Sequence, residues 1–451
     1  MNKEEITDKI KNTQGSKVKI AITDVDGVLR GKYIHKNKFL DAINSNLGIC
    51  DVIFGWDSGD ICYDNMELTG WQTGYPDGKA TIDMSTFREI PWENSIPFFL
   101  ADFSQHKKYA ETACSRSLLK RIAEEGELMG FRAFFAQEFE WFNFKGTPGE
   151  ISENSFQNLQ PITPGMFGYS ILRTSLNESY FNDLFDGMEA FDIPLEGVHT
   201  ETGPGVFETA ILFDDIVAAA DKAVLFKTGV KEIGYRHNMV ASFMAKWNKN
   251  LPGCGGHLHQ SLWDKEGKIN LFFAENEKGI SELMEQYIAG QLLCLPEILP
   301  MFAPTVNSYK RIGHGDWAPS TITWGFDNRT AAIRVIRGKM ESTRIESRVP
   351  GADTNAYLAM AAALASGLYG IKNKLKLDTQ PTVGNGYENK SAGVLASNLL
   401  DSTRIMANSD IAKQLFGEQF VNYFTKTREW EWRQYMNQVT DWELKRYFEI
   451  I

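Results

Sequence analysis

Apolar and polar residues alternate on both sides of Asp26-Gly27 in VKIAITDVDGVLRGKYI, which predicts two strands joined by a hairpin turn. MNKEEITDKIKNTQG, ahead of it, reads as a polar helix. A polar, aromatic, Gly-rich stretch follows (FGWDSGDICYDNMELTGWQTGYPDGKA), then TIDMSTFREIPWENSIPFFLADF, a strand–turn–strand text punctuated by Pro91 and Pro97. These elements form a small β-rich domain over 1–105, with a larger second domain over 106–451. In the second, Thr112 is placed to cap a helix over ACSRSLLKRIAEEGELM that Gly130 closes. FRAFFAQEFEWFNF alternates as a strand, a long helix runs from Asp215 to about Arg236, and GHLHQSL is a further strand. ISELMEQYIAGQLL is helical, ITWGFDNRTAAIRVI and STRIESRV each read as one strand, and helices continue to the C-terminus. Strands come in hairpin-like pairs among interspersed helices, which predicts an α+β fold with an antiparallel sheet rather than a doubly wound parallel one.

Composition narrows the class. With 43% hydrophobic and 23% charged residues, the 451-residue chain is an ordinary globular protein, long enough for two cores. Its formal charge of -11, with no basic tract, argues against general nucleic-acid binding. The five cysteines are scattered without a C-x-x-C pair, so neither a disulfide framework nor a zinc knuckle is expected. The longest apolar stretch, AYLAMAAALASGLYGI (356–371), is too short and Ala-rich for a membrane span and reads as a buried helix. With no signal peptide visible, a cytoplasmic protein is expected.

Asp24-Val25-Asp26-Gly27-Val28-Leu29 has the letters of the nucleophile motif of haloacid-dehalogenase-type phosphatases, but the chain returns at once as a second strand. Four other constellations carry more. Glu138-Phe139-Glu140 points two carboxylates the same way from a strand, about 7 Å apart. Glu201 and Glu208 flank a Gly203-Pro204-Gly205 bend that lets both approach one point. His257-Leu258-His259 sets two imidazoles on one strand face after a glycine loop. In Arg344-Ile345-Glu346-Ser347-Arg348, an Arg-Glu-Arg face is costly to bury unless an anion and a cation lie against it, and Arg329 and Arg334 add two guanidiniums upstream. Hard oxygen ligands with little His and no Cys suit Mg²⁺ or Mn²⁺, and metals flanked by arginines suit phosphoryl transfer. No G-x-x-x-x-G-K-[ST] occurs, so a nucleotide would be held by metals and arginines instead of a P-loop.

The order of these motifs, with NSYKR (307–311), NRTAAIR (328–334), RIESR (344–348) and WELKRY (442–447), resembles the glutamine synthetase family across nearly the whole chain. The resemblance implies a small β-grasp domain before a large catalytic α+β domain, and a homo-oligomer, a dodecamer of stacked hexamer rings with active sites between subunits. It implies Glu140, Glu201 and Glu208 as ligands of one metal, and Glu138, His257 and Glu346 as ligands of a second that bridges the ATP phosphates. Two or three Mg²⁺ or Mn²⁺ per site and ATP as co-substrate follow. Ser261, Arg344 and Arg334 fall at nucleotide-contacting positions, and Arg329, with Arg334, faces the phosphates. Arg311 and Arg348, helped by the Gly253 backbone, would grip the carboxylates of glutamate. Asp57, with Asp60 as the alternative, resembles the aspartate lent to the next subunit to deprotonate the incoming amine. The implied reaction is attack of the glutamate γ-carboxylate on ATP, then displacement of phosphate by an amine.

Three positions depart from the ammonia-using pattern. Val206 replaces a Gln, Pro252 replaces an Asn, and the flap reads Gly315-Asp316-Trp317-Ala318-Pro319 where Gly-Tyr-Glu-Ala-Pro is usual. An indole in place of the carboxylate that attracts ammonium suits an organic amine, with Trp317 against it. If Asp316 takes the place of that carboxylate, ammonia remains the substrate. A ring protein without chemistry is the further alternative, and the full ligand set argues against it.

Overall fold

The computed structural model describes residues 1–312 and 317–451. Two sheets organise them. The first contains β1 (Lys17–Thr23), β2 (Leu29–His35), β3 (Leu47–Cys50), β4 (Asp77–Ile82), β5 (Arg88–Ile90) and β6 (Ile96–Asp102). Its order is β2-β1-β6-β4-β3, with β5 also on β6, and β1 runs parallel to β6. The second contains β7 (Phe131–Lys145), β8 (Leu195–Thr200), β9 (Val206–Ile211), β10 (Asp214–Asp215), β11 (Met239–Ser242), β12 (Gly256–Asp264), β13 (Trp324–Phe326), β14 (Ile333–Ile336) and β15 (Arg344–Ser347). Its order is β13-β14-β15-β12-β7-β9-β8, antiparallel except for the β13–β14 pair. The α+β expectation holds.

Alternation explains β7, the long central strand. Phe135, Phe139 and Trp141 are buried on helix Ile216–Arg236, where Phe139 stacks on Phe226 with ring centroids 5.8 Å apart. The apolar run at 356–371 is helix Ala356–Lys372, buried almost throughout. Among the described residues no helix is long and apolar enough to cross a membrane.

Local readings are corrected at two places. Thr112 ends a short helix, Lys107–Thr112, instead of capping the next. The next spans Ser115–Leu128 from Cys114, because Tyr109 and Phe103 draw the preceding turn into the core. The segment 322–336 is two strands, β13 and β14, because Asp327 turns the chain at φ 49° and Asn328 caps the loop onto the 382–384 carbonyls and Thr330.

The predicted hairpin is present, closed by five residues. Thr23 pairs with Leu29, and Gly27 supplies the left-handed conformation at φ 80°. Asn355 donates to the carbonyls of Asp24 and Val25, both at 3.2 Å, and Arg428 Nη2 donates to Asp26 Oδ1 at 2.7 Å. A second tie is a buried ion cluster. Arg116 reaches Asp102 Oδ2 at 2.6 Å, Asp83 Oδ2 at 2.9 Å and Asp221 Oδ1 at 2.8 Å. Lys120 adds contacts to Asp83 and Asp102, and the Tyr357 hydroxyl donates to Asp221 at 2.6 Å. The cluster links the first sheet to three helices packed behind the second.

Candidate active site

Register sets the site. On β14, β15 and β12, Arg334 lies opposite Glu346, and Glu346 opposite His259. His257 lies opposite Glu138 on β7, Glu140 opposite Glu208 on β9, and Glu208 opposite His199 on β8. Directly paired residues share a sheet face, as do residues two apart on one strand. Six strands therefore deliver one continuous row of charged side chains to the same face.

The contacts follow that row. Glu346, 1% exposed, accepts from Arg334 Nη1 at 2.9 Å and from Arg348 Nη1, with His257 Nδ1 at 3.4 Å. Burial pushes its carboxyl up, but Arg348, His257 and His259 outweigh it, and the net shift is down to about 2. Glu138 is governed likewise: burial opposes ionisation, while hydrogen bonds from His257 and His259 hold it well below the usual carboxylate range. At the other end the balance reverses. Glu208 is pushed far up, first by burial and then by the charges of Glu138, Glu140 and Glu201, and His199 Nε2 lies 3.2 Å from it. Glu201 accepts from the Thr202 N–H at 2.7 Å and Glu140 from the Gly255 N–H at 2.8 Å.

This donor set fits hard divalent cations. His199, Glu201 and Glu208 bring ligand atoms within 4.8 Å of one another, as do Glu138, His259 and Glu346. The two histidines differ. His257 Nδ1 faces Glu138 Oε1 at 3.0 Å; with the hydrogen on Nδ1, Nε2 keeps a lone pair, buried and without a hydrogen-bond partner among the described residues. His259 Nδ1 instead accepts from Arg344 Nε at 3.2 Å, so its Nε2 carries the hydrogen. His257 therefore offers a free ring nitrogen beside the acids, whereas the group that converges with Glu138 and Glu346 contains His259. Glycine makes the room: a Cβ at Gly255 would lie 2.6 Å from His257 Nε2 and 3.1 Å from Glu140 Oε1.

The row floors a cavity of about 550 Å³ lined by Glu138, Glu140, Glu201, Glu208, His257 and Glu346, and by Gly253, Arg311, Trp317, Arg329, Arg334 and Arg348. A neighbouring cavity of about 610 Å³ shares Glu138, Glu208, Arg329 and Arg334 and adds Ser261 and Arg344 beside Phe134, Phe213 and Trp263. Arg311 is buried, with its guanidinium on the carbonyls of Arg348 and Val349, and burial lowers its pKa. A Cβ at Gly253 would collide with its side chain, at 2.9 Å from Cγ. Trp317 is 56% exposed at the rim, with φ 62°. Gly315 and Asp316 lie outside the described residues.

Asp57 does not line either cavity of its own chain. Its carboxylate accepts from Gly59 N, Ile61 N and Trp430 Nε1, while Asp60 pairs with Arg30. Among the cavity residues that the motifs leave unassigned are His199 and Tyr169. His199 stands two before Glu201, the same spacing that marked Glu138 and Glu140, so strand period had the signal. Tyr169, whose ring stacks on His199 at 4.3 Å, arrives on a loop with no periodic text.

Residues 112–447 match the glutamine synthetase catalytic domain. The chain is 49% identical to Type-1 glutamine synthetase 2 of Dictyostelium discoideum, over 100% of this chain and 87% of that protein. It is 36% identical to the glutamate–isopropylamine ligase of a Pseudomonas species, over 96% and 95%. It is 34% identical to the gamma-glutamylethanolamide synthetase of Streptomyces coelicolor, over 96% and 92%. Among solved structures, GmaS in complex with ADP superposes with a TM-score of 0.83 at 25% identity, over 98% of this chain and 99% of that one.

Proposed function

The chain belongs to the glutamine synthetase family and is a ligase of that type, and from this premise we propose that it joins glutamate to a small organic primary amine, giving a γ-glutamyl amide. The observation that carries the proposal is the indole of Trp317 at the rim of the cavity, at the position where the flap pattern that the sequence resembles has a carboxylate. Relatives named for isopropylamine and ethanolamine support it.

Arg311 and Arg348 would hold the carboxylates of glutamate against the Gly253 loop. Arg329 and Arg334 would neutralise the transferring phosphoryl group as the γ-carboxylate oxygen attacks phosphorus and ADP leaves. Ser261 and Arg344, in the adjoining cavity, would contact the nucleotide. Glu140, Glu201 and Glu208, and separately Glu138, His257 and Glu346, would hold Mg²⁺ or Mn²⁺, which supplies charge neutralisation and orientation to the phosphates. The amine nitrogen then bonds to the acyl carbon and phosphate departs. Asp57 of a neighbouring subunit, in a dodecamer of two stacked hexamers, would take the proton that the nitrogen sheds.

Glutamine synthesis proper is the second reading, favoured by the 49% identity to a protein carrying that name. Phosphate release measured with glutamate, ATP, Mn²⁺ and either ammonium or a panel of methylamine, isopropylamine and ethanolamine separates the two. Higher kcat/KM for ammonium than for every amine overturns the proposal.

A further inference from the structure

The Asp24–Val28 turn takes no part in the cleft, yet its aspartate is 3% exposed and fully engaged. Asp24 Oδ1 accepts from Asp26 N at 3.0 Å and Val28 N at 2.9 Å, and Oδ2 accepts from Arg30 Nε at 2.9 Å. Arg30 then leaves the hairpin. Its Nη1 donates to Asp60 Oδ1 at 2.6 Å, and its guanidinium lies over the Trp56 ring, 5.3 Å from the centroid. Trp56 and Asp60 bracket Asp57.

We infer that Arg30 is a positioning residue for the amine step: it clamps the turn that carries Asp57 and sets where that carboxylate points. The inference rests on the proposed role of Asp57 in a neighbour's site. An ion pair to an exposed aspartate is ordinarily worth little, because two long side chains must be ordered to make it. Here the guanidinium is already fixed by buried Asp24, so Asp60 is bound by a preorganised fork. The turn gains from such a clamp. Asp60 sits at φ 62°, and the loop closes through Asp57 N to Ile61 O at 3.0 Å, Asp60 N to Asp57 O at 3.1 Å and the Asp57 carboxylate, with Tyr63 N to Gly55 O at 2.9 Å at its base. Trp430 Nε1 holds the other carboxylate oxygen of Asp57 at 2.9 Å. The hairpin is itself anchored to the catalytic half through Asn355 and Arg428. Arg30 therefore ties the loop offered to a neighbour to the body of its own subunit.

The test is a double-mutant cycle on the assembled enzyme with Arg30→Gln, Asp57→Asn and the pair. It is read as amine-dependent kcat, KM for ATP and glutamate, ADP formed in a single turnover without amine, and melting temperature. Asp57→Asn is expected to cost on the order of 10²-fold in kcat, as for loss of a proton acceptor. Arg30→Gln is expected to cost about tenfold, as for a carboxylate displaced by a fraction of an ångström. Amine-free ADP formation and both KM values should stay within twofold, Arg30→Lys should recover part of the loss, and the double variant should be no slower than Asp57→Asn alone. Unchanged turnover in Asp57→Asn would remove the Asp57 reading itself. A slow Asp57→Asn beside a fully active Arg30→Gln, or losses that multiply in the double variant, would overturn the inference alone. So would an Arg30→Gln that loses amine-free ADP formation and melting temperature together.

Discussion

Replacing Arg116 by leucine removes the cation that Asp83, Asp102 and Asp221 share. Lys120 remains 3.0 Å from Asp83 and 2.6 Å from Asp102, so those two stay partly compensated. Asp221, 4% exposed, keeps only the Tyr357 hydroxyl among the described residues. One uncompensated buried carboxylate costs about 3–5 kcal/mol at neutral pH. The pH dependence has a definite sign. In the wild type burial opposes ionisation of Asp83 and Asp102, but Arg116 and Lys120 outweigh it and depress both pKa values. Their stabilisation is present above the unfolded pKa and is lost as pH falls through the folded one. In the variant Asp221 stays buried but loses its cation, so the penalty it carries is one on charge and weakens towards acid. The gap between wild type and Arg116→Leu should be wide at pH 7.5 and narrow towards pH 4.5. Urea unfolding at both pH values, followed by tryptophan fluorescence, reads it. Adding Asp221→Leu should recover most of the loss, because an apolar pair tolerates burial. A gap below about 1 kcal/mol at pH 7.5, or one that ignores pH, refutes the reasoning.

Glu208→Gln should leave the metal-free protein as stable as the wild type or more so, since burial and three neighbouring acids already disfavour its charge, while Mn²⁺-dependent turnover falls at least ~10²-fold. Melting in chelator beside an activity assay checks both halves. Stripping divalent ions should lower the melting temperature reversibly, with about 2.7 kcal/mol regained at Mn²⁺ one hundred times its Kd. Calorimetry of the metal-free protein on Mn²⁺ addition measures this. Trp317→Ala should raise KM for the preferred amine by about 10-fold or more, as loss of an apolar wall predicts, and leave KM for ATP unchanged.

Strand period made the core of the site legible. Glu138 and Glu140, His257 and His259, and Arg344, Glu346 and Arg348 each repeat every second residue, and the sheet preserves that repeat across its registers. His199-Thr200-Glu201 obeys the same rule, although the Gly-Pro-Gly bend that follows marks the two acids more plainly than the histidine. Tyr169 had no such signal: a loop residue reaches the cleft through tertiary packing, which leaves no spacing in the sequence. The hairpin was visible in DVDG, but its use was not, since the link from Arg30 to Asp60 spans thirty residues of irregular text. Thr112 failed as a cap because capping letters are common, and burial of Tyr109 decided where the helix began.

The charged row on the second sheet is lopsided. Its β14–β15 end carries Arg334, Arg344 and Arg348, and its β8–β9 end carries Glu201 and Glu208 with a single histidine. A low-dielectric floor concentrates such a difference into a field along the sheet. Anions are favoured towards the guanidinium end and cations towards the carboxylate end, with Glu138 and Glu346 as acids between them. The sheet thus acts as a polarised track, and its direction is fixed by strand order, which a change of side chains around the rim leaves untouched. Exchange of rim residues such as Tyr169, Pro252 and Trp317 can then alter what is accepted without reversing the direction in which charge is laid down.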